Sequence, residues 1–190
     1  MNDYNFRRVF RSLPTVKTSR LTLRKISFND AEDMYTYASL DTVTRFLLWE
    51  PHLNIEETRG YIEYVNRRYK KGTYADWGIS LNSENTFIGT VGFADINYEE
   101  NVAEIGYVLN PSYHGKGYMT EAVSAVLKIA FDDIGFDKVV LRIIDENAAS
   151  IRLALRLGFT LPENGNKQLE IKGIQRTVCH YELRKENYKI

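Results

Sequence analysis

The chain has 190 residues, of which 44% are hydrophobic and 26% charged, as is typical of one folded domain with its own core. Lysine and arginine number 25, as do aspartate and glutamate, so the chain lacks the basic excess of most nucleic-acid-binding proteins. Its single cysteine excludes an intrachain disulfide, and no apolar run approaches a membrane span or signal peptide. We therefore expect a cytoplasmic domain without nucleic-acid or membrane partners.

The first half of the sequence predicts one strand, two helices and three further strands. Residues 19–24 alternate polar and apolar side chains, as strands do. Asn29 and the acids that follow it mark the start of a helix that continues to Ala38. A second helix is expected over residues 55–71, ending at Gly72. Period-two patterns between polar turns then predict an antiparallel meander over residues 74–81, 86–96 and 102–109.

The second half predicts a strand–helix–strand unit. Apolar residues recur at helical spacing from Gly117 to Phe131, and residues 138–144 form a compact apolar strand. Another helix is expected over residues 148–157, followed by strands at residues 159–161 and 177–183. The order predicts a mixed α/β (α+β) fold with a largely antiparallel sheet of about seven strands.

The stretch from Glu104 to Glu121 carries the clearest chemical pattern. A strand leads into a short loop with two glycines, and the loop opens directly into a helix. The unpaired amides and positive dipole at a helix N-terminus, next to glycines that allow close approach, form a phosphate cradle. A Walker loop is excluded because Gly117 follows Lys116, and a dinucleotide fingerprint because Thr120 replaces its third glycine. Taken alone, the Gly-Lys-Gly sequence is equally compatible with an ordinary tight turn.

Several blocks in the same order make the pattern more specific. The stretch Tyr113-His-Gly-Lys-Gly-Tyr-Met-Thr-Glu-Ala122 resembles the pyrophosphate loop of the GNAT N-acetyltransferase superfamily, and particularly its Rim-type branch, which acetylates protein N-termini. The resemblance covers about residues 19–184 and includes Thr18-Ser-Arg-Leu-Thr-Leu-Arg24, Gly89-Thr-Val-Gly92, Ile105-Gly-Tyr-Val-Leu-Asn-Pro111, Asn147-Ala-Ala-Ser150 and Leu157-Gly-Phe159.

This resemblance implies one GNAT-like domain whose sheet is splayed between its fourth and fifth strands to admit acetyl-CoA. It implies direct acetyl transfer to a primary amine, most readily the α-amine of a protein, including a ribosomal protein. We expect an N-terminal arm over residues 1–18, the N-acetyltransferase domain over 19–184 and a tail over 185–190. The arm is basic, which is compatible with an acidic partner or with a solvated segment that packs Phe6 and Phe10 on the domain.

The resemblance also implies the residues that hold acetyl-CoA. The central strand borders the pantetheine arm, the loop amides bind the pyrophosphate, and a backbone N–H near Leu109 polarises the acetyl carbonyl. Lys116 is available for the ribose phosphate, and Asn147 for the pantetheine arm or as a helix N-cap. The predicted cofactor-binding residues are Tyr107, Val108, Leu109, His114, Gly115, Lys116, Gly117, Tyr118, Met119, Thr120, Asn147 and Ser150. His114 and Met119 depart from the usual loop, and the bulk of Met119 must point away from the ligand.

Glu104 and Ser150 are the predicted catalytic residues. Glu104 begins the central strand, where related enzymes often carry a carboxylate, and is the candidate general base; a surface or salt-bridged glutamate is the alternative. Many family members have a tyrosine seven residues after the asparagine as acid for the leaving thiolate, but this chain has Ala154. Ser150 or a water must therefore serve, or the thiolate must leave unprotonated.

The acceptor groove of the family lies between its early helices and central strands. This implies substrate contacts from Trp49, Tyr74, Asp76 and Trp77, although such residues are more often part of a core. The three histidines have no metal-ligand spacing, and Cys179 has no neighbouring base, so we expect neither a metal nor an acetyl-cysteine. A small-amine acetyltransferase acting on an antibiotic or polyamine and a CoA-binding regulatory module remain alternatives, as do a monomer and a homodimer.

Overall fold

The computed structural model describes residues 9–73 and 76–189, which contain one sheet of eight strands. The strands are β1 Val16–Lys17, β2 Leu21–Arg24, β3 Asp76–Leu81, β4 Phe87–Asn97, β5 Val102–Leu109, β6 Lys138–Ile144, β7 Asn166–Ile171 and β8 Ile174–Arg184. Their order across the sheet is β1-β2-β3-β4-β5-β6-β8-β7. All neighbouring strands are antiparallel except β5 and β6, which are parallel.

Helices cover both faces of this sheet. They are α1 Ala31–Ala38, α2 Asp41–Thr44, α3 Ile55–Lys71, α4 Tyr118–Lys128, which continues as a π-helix over Ile129–Ile134, and α5 Ala148–Arg156. Helices α1 and α3 pack together on one face, where Tyr37 stacks on Phe87. Helix α4 packs against β2, β4 and β5, and its buried side carries the apolar residues that gave the helical spacing in the sequence.

The segment predicted as an N-terminal arm contributes to the core from residue 9 onward. Val9, Phe10 and Leu13 are buried, and the Phe10 ring packs edge-on against Phe93. Residues 16–17 then pair with β2 and extend the sheet by one short strand. Phe6 lies outside the described residues. The apolar side chains of this segment therefore pack on the domain although the surrounding sequence is basic.

The sheet opens between β5 and β6, as expected for the splay. Their pairing is confined to Val102–Glu104 opposite Lys138–Val140. The amide of Asn110 donates to the carbonyl of Ile88 at 2.8 Å, on the β4 side of the strand. Because backbone groups alternate in direction along a strand, the N–H and C=O groups of Tyr107 and Leu109 point toward β6 and face the cleft. The fold thus leaves unpaired strand edges where an extended ligand can bind.

The sequence prediction was wrong about the end of the sheet. Residues 159–161 form only an isolated bridge, between Thr160 and Glu182, and β8 pairs instead with β7. Every side chain of β7 except Ile171 is exposed, so this edge strand has no apolar face that its sequence could reveal. A two-residue turn at Lys172 and Gly173, both with positive φ, joins β7 to β8. Within the described part of the chain, no helix is long and apolar enough to cross a membrane.

Candidate active site

A cavity of about 750 Å³ lies beside the splayed strands. Its walls come from α1, α3, residues 46–49, the cleft-side parts of β5 and β6, the start of α5 and the end of β7. The lining is rich in aromatic side chains, among them Tyr37, Phe46, Trp49, Tyr61, Tyr64, Phe93 and Tyr107. The cavity therefore joins the cleft to the helical face on which an acceptor was expected.

The glycine loop adopts the geometry of an anion cradle. Gly115 and Gly117 have φ values of 74° and 78°, which L side chains rarely adopt, and Gly117 is the N-cap of α4. The first helical hydrogen bond runs from the amide of Glu121 to the carbonyl of Gly117. Since the amides of Tyr118, Met119 and Thr120 precede that bond, they have no acceptor within the helix. The loop thus fits a pyrophosphate group.

Arg20, which the sequence analysis did not assign to the site, fastens this loop to the start of β2. Its Nη1 donates to the carbonyl of Lys116 at 2.8 Å, and its Nε donates to Oε2 of Glu121 at 2.7 Å. Its guanidinium also lies 4.6 Å from the centre of the Tyr118 ring. The loop conformation is therefore held by contacts within the protein itself.

Glu121, in the first turn of α4, is the carboxylate that binds Arg20. Burial acts to raise its pKa, but hydrogen bonds from Thr18, Ser19 and Arg20 outweigh that effect and lower the pKa to about 2. The carboxylate is thus ionised near neutral pH and can hold Arg20. The sequence signal for this attachment was the pair Thr18 and Ser19 before β2. Their hydrogen-bond partner, Glu121, lies about a hundred residues away in the chain.

We expect Arg20→Ala to raise the KM for acetyl-CoA by about 3- to 30-fold with little change in kcat, because the variant loosens a binding loop by one or two hydrogen bonds. Steady-state kinetics at saturating amine measures the KM for acetyl-CoA and kcat separately. Arg20→Lys keeps the charge but lacks the forked geometry that reaches both partners. A normal KM in the lysine variant would show that charge alone matters and would contradict the proposed attachment.

The other predicted loop residues have distinct environments. His114 places its Nε2 3.0 Å from the carbonyl of Leu109, next to the cleft. Lys116 is exposed, with Nζ 5.4 Å from the centre of the Tyr113 ring. Met119 is buried in the core, so its bulk does point away from the loop. Arg156 from α5 reaches Thr120 at 3.4 Å and adds a further positive charge beside the loop.

The cleft brings Tyr107 of β5 into contact with Ser150 of α5. Their hydroxyl groups share a short hydrogen bond, and both residues line the cavity. Burial raises the pKa of the Tyr107 phenol to about 12, although the hydrogen bond with Ser150 acts to lower it. Asn147 caps α5 by accepting from the amide of Ser150 at 3.2 Å, and it also lines the cavity. Ala154, at the position of the missing tyrosine, is completely buried.

Glu104 lies in the cavity wall and forms an ion pair; the sequence analysis allowed for a salt bridge here but did not identify Arg142 as the partner. Its Oε2 is 2.6 Å from Nε of Arg142 on β6, and its side chain is only 14% exposed. Burial raises the pKa of Glu104 above its ordinary value, although the hydrogen bond and charge of Arg142 act to lower it. Glu104 is therefore a largely buried carboxylate that Arg142 holds at the cavity wall, where it is a candidate to accept a proton.

The predicted acceptor residues divide into two groups. Trp49 and Asp76 line the cavity, and Asp76 accepts a hydrogen bond of 2.6 Å from the Tyr61 hydroxyl. The prediction for Trp77 requires correction, because this side chain is fully buried among Phe10 and Phe93. Trp77 follows Asp76 in β3 and so points to the opposite face of the sheet, where its Nε1 donates to the carbonyl of Pro14. Tyr74 lies outside the described residues.

The single cysteine is not among the residues that line the cavity. Cys179 is buried in β8, and burial raises the pKa of its thiol. Over residues 9–73 and 76–189, no group of three or more His, Cys, Asp or Glu side chains is placed to hold a metal ion.

Comparison with known proteins assigns the fold and the loop to a family. Residues 20–160 match the family model described as an acetyltransferase (GNAT) domain. The chain belongs to the GNAT acetyltransferase family. The uncharacterized N-acetyltransferase YoaA of Bacillus subtilis (strain 168) is 33% identical over 146 residues, which cover 77% of this chain and 82% of the relative. The protein is therefore an acetyl-CoA-dependent N-acetyltransferase.

Solved structures of this family share the fold while their acceptors differ. A ribosomal-protein-S5-alanine acetyltransferase from Vibrio fischeri aligns with a TM-score of 0.72 at 21% identity, covering 93% of this chain and all of the other. A spermidine N-acetyltransferase from Vibrio cholerae, in complex with CoA and spermine, aligns with a TM-score of 0.75 at 21% identity, covering 90% and 99%. At these identities the GNAT fold is shared, and the amine is not defined.

Proposed function

We propose that this GNAT enzyme transfers the acetyl group of acetyl-CoA directly to a primary amine, and that its first acceptor class is the α-amine of a peptide or protein. The observation that carries the proposal is the cavity itself, which places Glu104, Ser150 and the cleft-facing edge of β5 around one space. Acetyl transfer to nitrogen needs a proton acceptor, a carbonyl-polarising donor and a stabilised leaving thiolate, and this space offers all three.

Glu104 is the proposed base. The amine must lose a proton as it attacks, and a carboxylate with a raised pKa accepts that proton more readily than an ordinary glutamate. Arg142 acts to favour the ionised carboxylate and fixes its orientation through the ion pair. A protein α-amine has a pKa of about 7.7–8.0, whereas a lysine side chain has about 10.4. A base of this modest strength suits the α-amine, which is the reason for preferring it.

The edge of β5 and Ser150 act on the thioester. The cleft-facing amides of Tyr107 and Leu109 are placed to donate to the oxygen on which negative charge develops. The Tyr107 phenol, with a pKa of about 12, cannot deliver a net proton to a thiolate whose conjugate acid has a pKa of about 8.5. Ser150 therefore acts by hydrogen bonding to a thiolate that leaves unprotonated, and Tyr107 orients the serine hydroxyl.

A second acceptor class is favoured by the size of the cavity. Its volume of about 750 Å³ is that of a small-molecule site, and its lining is mainly aromatic and aliphatic. A small primary amine with an apolar body would fill this space. The spermidine acetyltransferase of the same fold is likewise named for a small amine. The peptide class takes precedence in the proposal because of the strength of the base.

The deciding experiment is thiol release from acetyl-CoA with a panel of peptides beginning with Ser, Ala or Thr, a set of polyamines, and aminoglycosides. A kcat/KM at least tenfold higher for one peptide N-terminus supports the first class. Turnover confined to small amines transfers the function to the second class. Tight CoA binding without turnover of any amine would overturn the enzymatic proposal and leave a CoA-binding regulatory module.

A further inference from the structure

One carboxylate in the cavity wall has no role in the chemistry described so far. Asp76, at the start of β3, uses Oδ2 to accept a hydrogen bond from Tyr61, and its backbone carbonyl accepts from the Tyr69 hydroxyl. Within the described ranges, no cationic side chain lies within ion-pairing distance of Asp76, and Oδ1 has no hydrogen-bond partner. A carboxylate in such a setting is incompletely solvated, so a ligand that donates to it gains a strong interaction.

The groups around Asp76 act on its ionisation in opposite directions. Burial raises its pKa, while the hydrogen bond from Tyr61 and the charge of Arg68 act to lower it. Arg68 lines the same cavity and donates from Nη1 to the Tyr64 hydroxyl at 2.6 Å. Arg68 therefore acts to favour the ionised form of Asp76, although the effect of burial is larger.

Aromatic side chains share the cavity with this carboxylate. Tyr37, Trp49 and Tyr61 line the cavity together with Asp76. Aromatic faces attract cations, and the attraction strengthens where water is excluded. A carboxylate combined with aromatic walls is a suitable site for an ammonium group, and a poor one for an anion.

The register of the sheet sets the distance from Asp76 to the reaction. Asp76 is opposite Gly92 on β4, and Gly92 is opposite Gly106 on β5. This row crosses two strand spacings, which places Asp76 about 10 Å from the splayed edge of β5. Because both intervening positions are glycine, no side chain in the row projects between Asp76 and the cleft.

We propose that Asp76 binds a second ammonium group of the acceptor, two strand spacings across the sheet from the edge of β5 where the other nitrogen is acetylated. This assignment rests on the proposed function, which places the reacting nitrogen beside Glu104. The second ammonium belongs either to a diamine or to a lysine side chain close to the N-terminus of a peptide. The same chemistry recognises both sources, and the experiment separates them.

The kinetic test compares matched acceptors in the wild type and in Asp76→Asn. One arm uses α,ω-diamines of increasing length and 1-aminoalkanes of equal length; the other uses short peptides with lysine or norleucine near the N-terminus. For whichever pair is acetylated, we expect the variant to raise the KM of the dicationic acceptor by about 10- to 100-fold and to leave the KM of its monocationic partner within about 2-fold. Glu99→Gln, at an exposed turn outside the cavity, controls for the change in net charge.

A binding measurement separates failure of the subsite from failure of the proposed function. Calorimetry with the CoA-loaded protein reports diamine or peptide affinity without turnover, and Tyr61→Phe provides a second variant should Asp76→Asn misfold. Binding that depends on Asp76 and Tyr61 supports the subsite even if no amine is acetylated. Efficient acetylation with equal affinity for dicationic and monocationic acceptors would overturn the subsite and leave the enzyme activity intact.

Discussion

Glu104→Gln is expected to lower kcat/KM for the acceptor amine by about 100- to 10 000-fold, the usual contribution of a general base. The glutamine is nearly isosteric and can still contact Arg142, so the fold and the binding of acetyl-CoA are retained. The measurement is kcat/KM as a function of pH, with an acceptor whose own amine pKa is known. Once protonation of the amine itself is accounted for, loss of the remaining acidic limb identifies Glu104 as the group that must be ionised.

Arg142→Gln is the matched control for this result. Arg142 acts to lower the pKa of Glu104, so its removal raises that pKa further. Since the ionised form is the base, activity appears only as pH rises through the pKa, and the acidic limb of Arg142→Gln moves to higher pH. A profile in Glu104→Gln that matches the wild type in shape and height would remove Glu104 from this role.

The second large effect is expected at Ser150. Ser150→Ala removes a hydrogen bond to a developing thiolate, and such a bond contributes about 1.5–3 kcal/mol, or about 10- to 150-fold in kcat. Tyr107→Phe leaves the serine hydroxyl in place but unoriented, so a smaller loss is expected. Both losses are measured under single-turnover conditions with the amine saturating.

The acyl donor distinguishes thiolate stabilisation from a structural role. A thioester with a more acidic leaving thiol needs less help, so the Ser150→Ala loss should shrink as the thiol pKa falls. Ser150→Thr retains a hydroxyl at this position and serves as the conservative variant. A loss that is the same for every leaving thiol would show that Ser150 supports only the cap of α5, through its amide bond to Asn147.

The family motifs and the strong periodic elements were predictable from the sequence because their determinants are local. The loop from Gly115 to Thr120, helix α4 and the buried strand β6 all follow from glycine positions or from apolar spacing within a few residues. The splay also followed from the resemblance, and the parallel pairing of only three residues between β5 and β6 is consistent with it.

The partners of the site residues were not predictable from the sequence, because they are distant in the chain. Arg142 is 38 residues from Glu104, and Arg20 about a hundred residues from Glu121. Nothing in a local pattern marks an arginine on an apolar strand as the partner of a particular carboxylate. Trp77 was misassigned for a related reason: a strand alternates faces, and only the helices packed on each side show which face borders the cavity.

The short pairing between β5 and β6 has a mechanical consequence. Strands β1 to β5 and strands β6 to β8 are two hydrogen-bonded blocks that share only a few parallel pairs at one end. A pantetheine chain bound along β5 would fill the remaining gap and contact both blocks. Binding then raises the free energy of unfolding, so the melting temperature increases with CoA concentration. The amides at the cleft edge of β5, which have no neighbouring strand, would exchange with solvent more slowly once the pantetheine is bound.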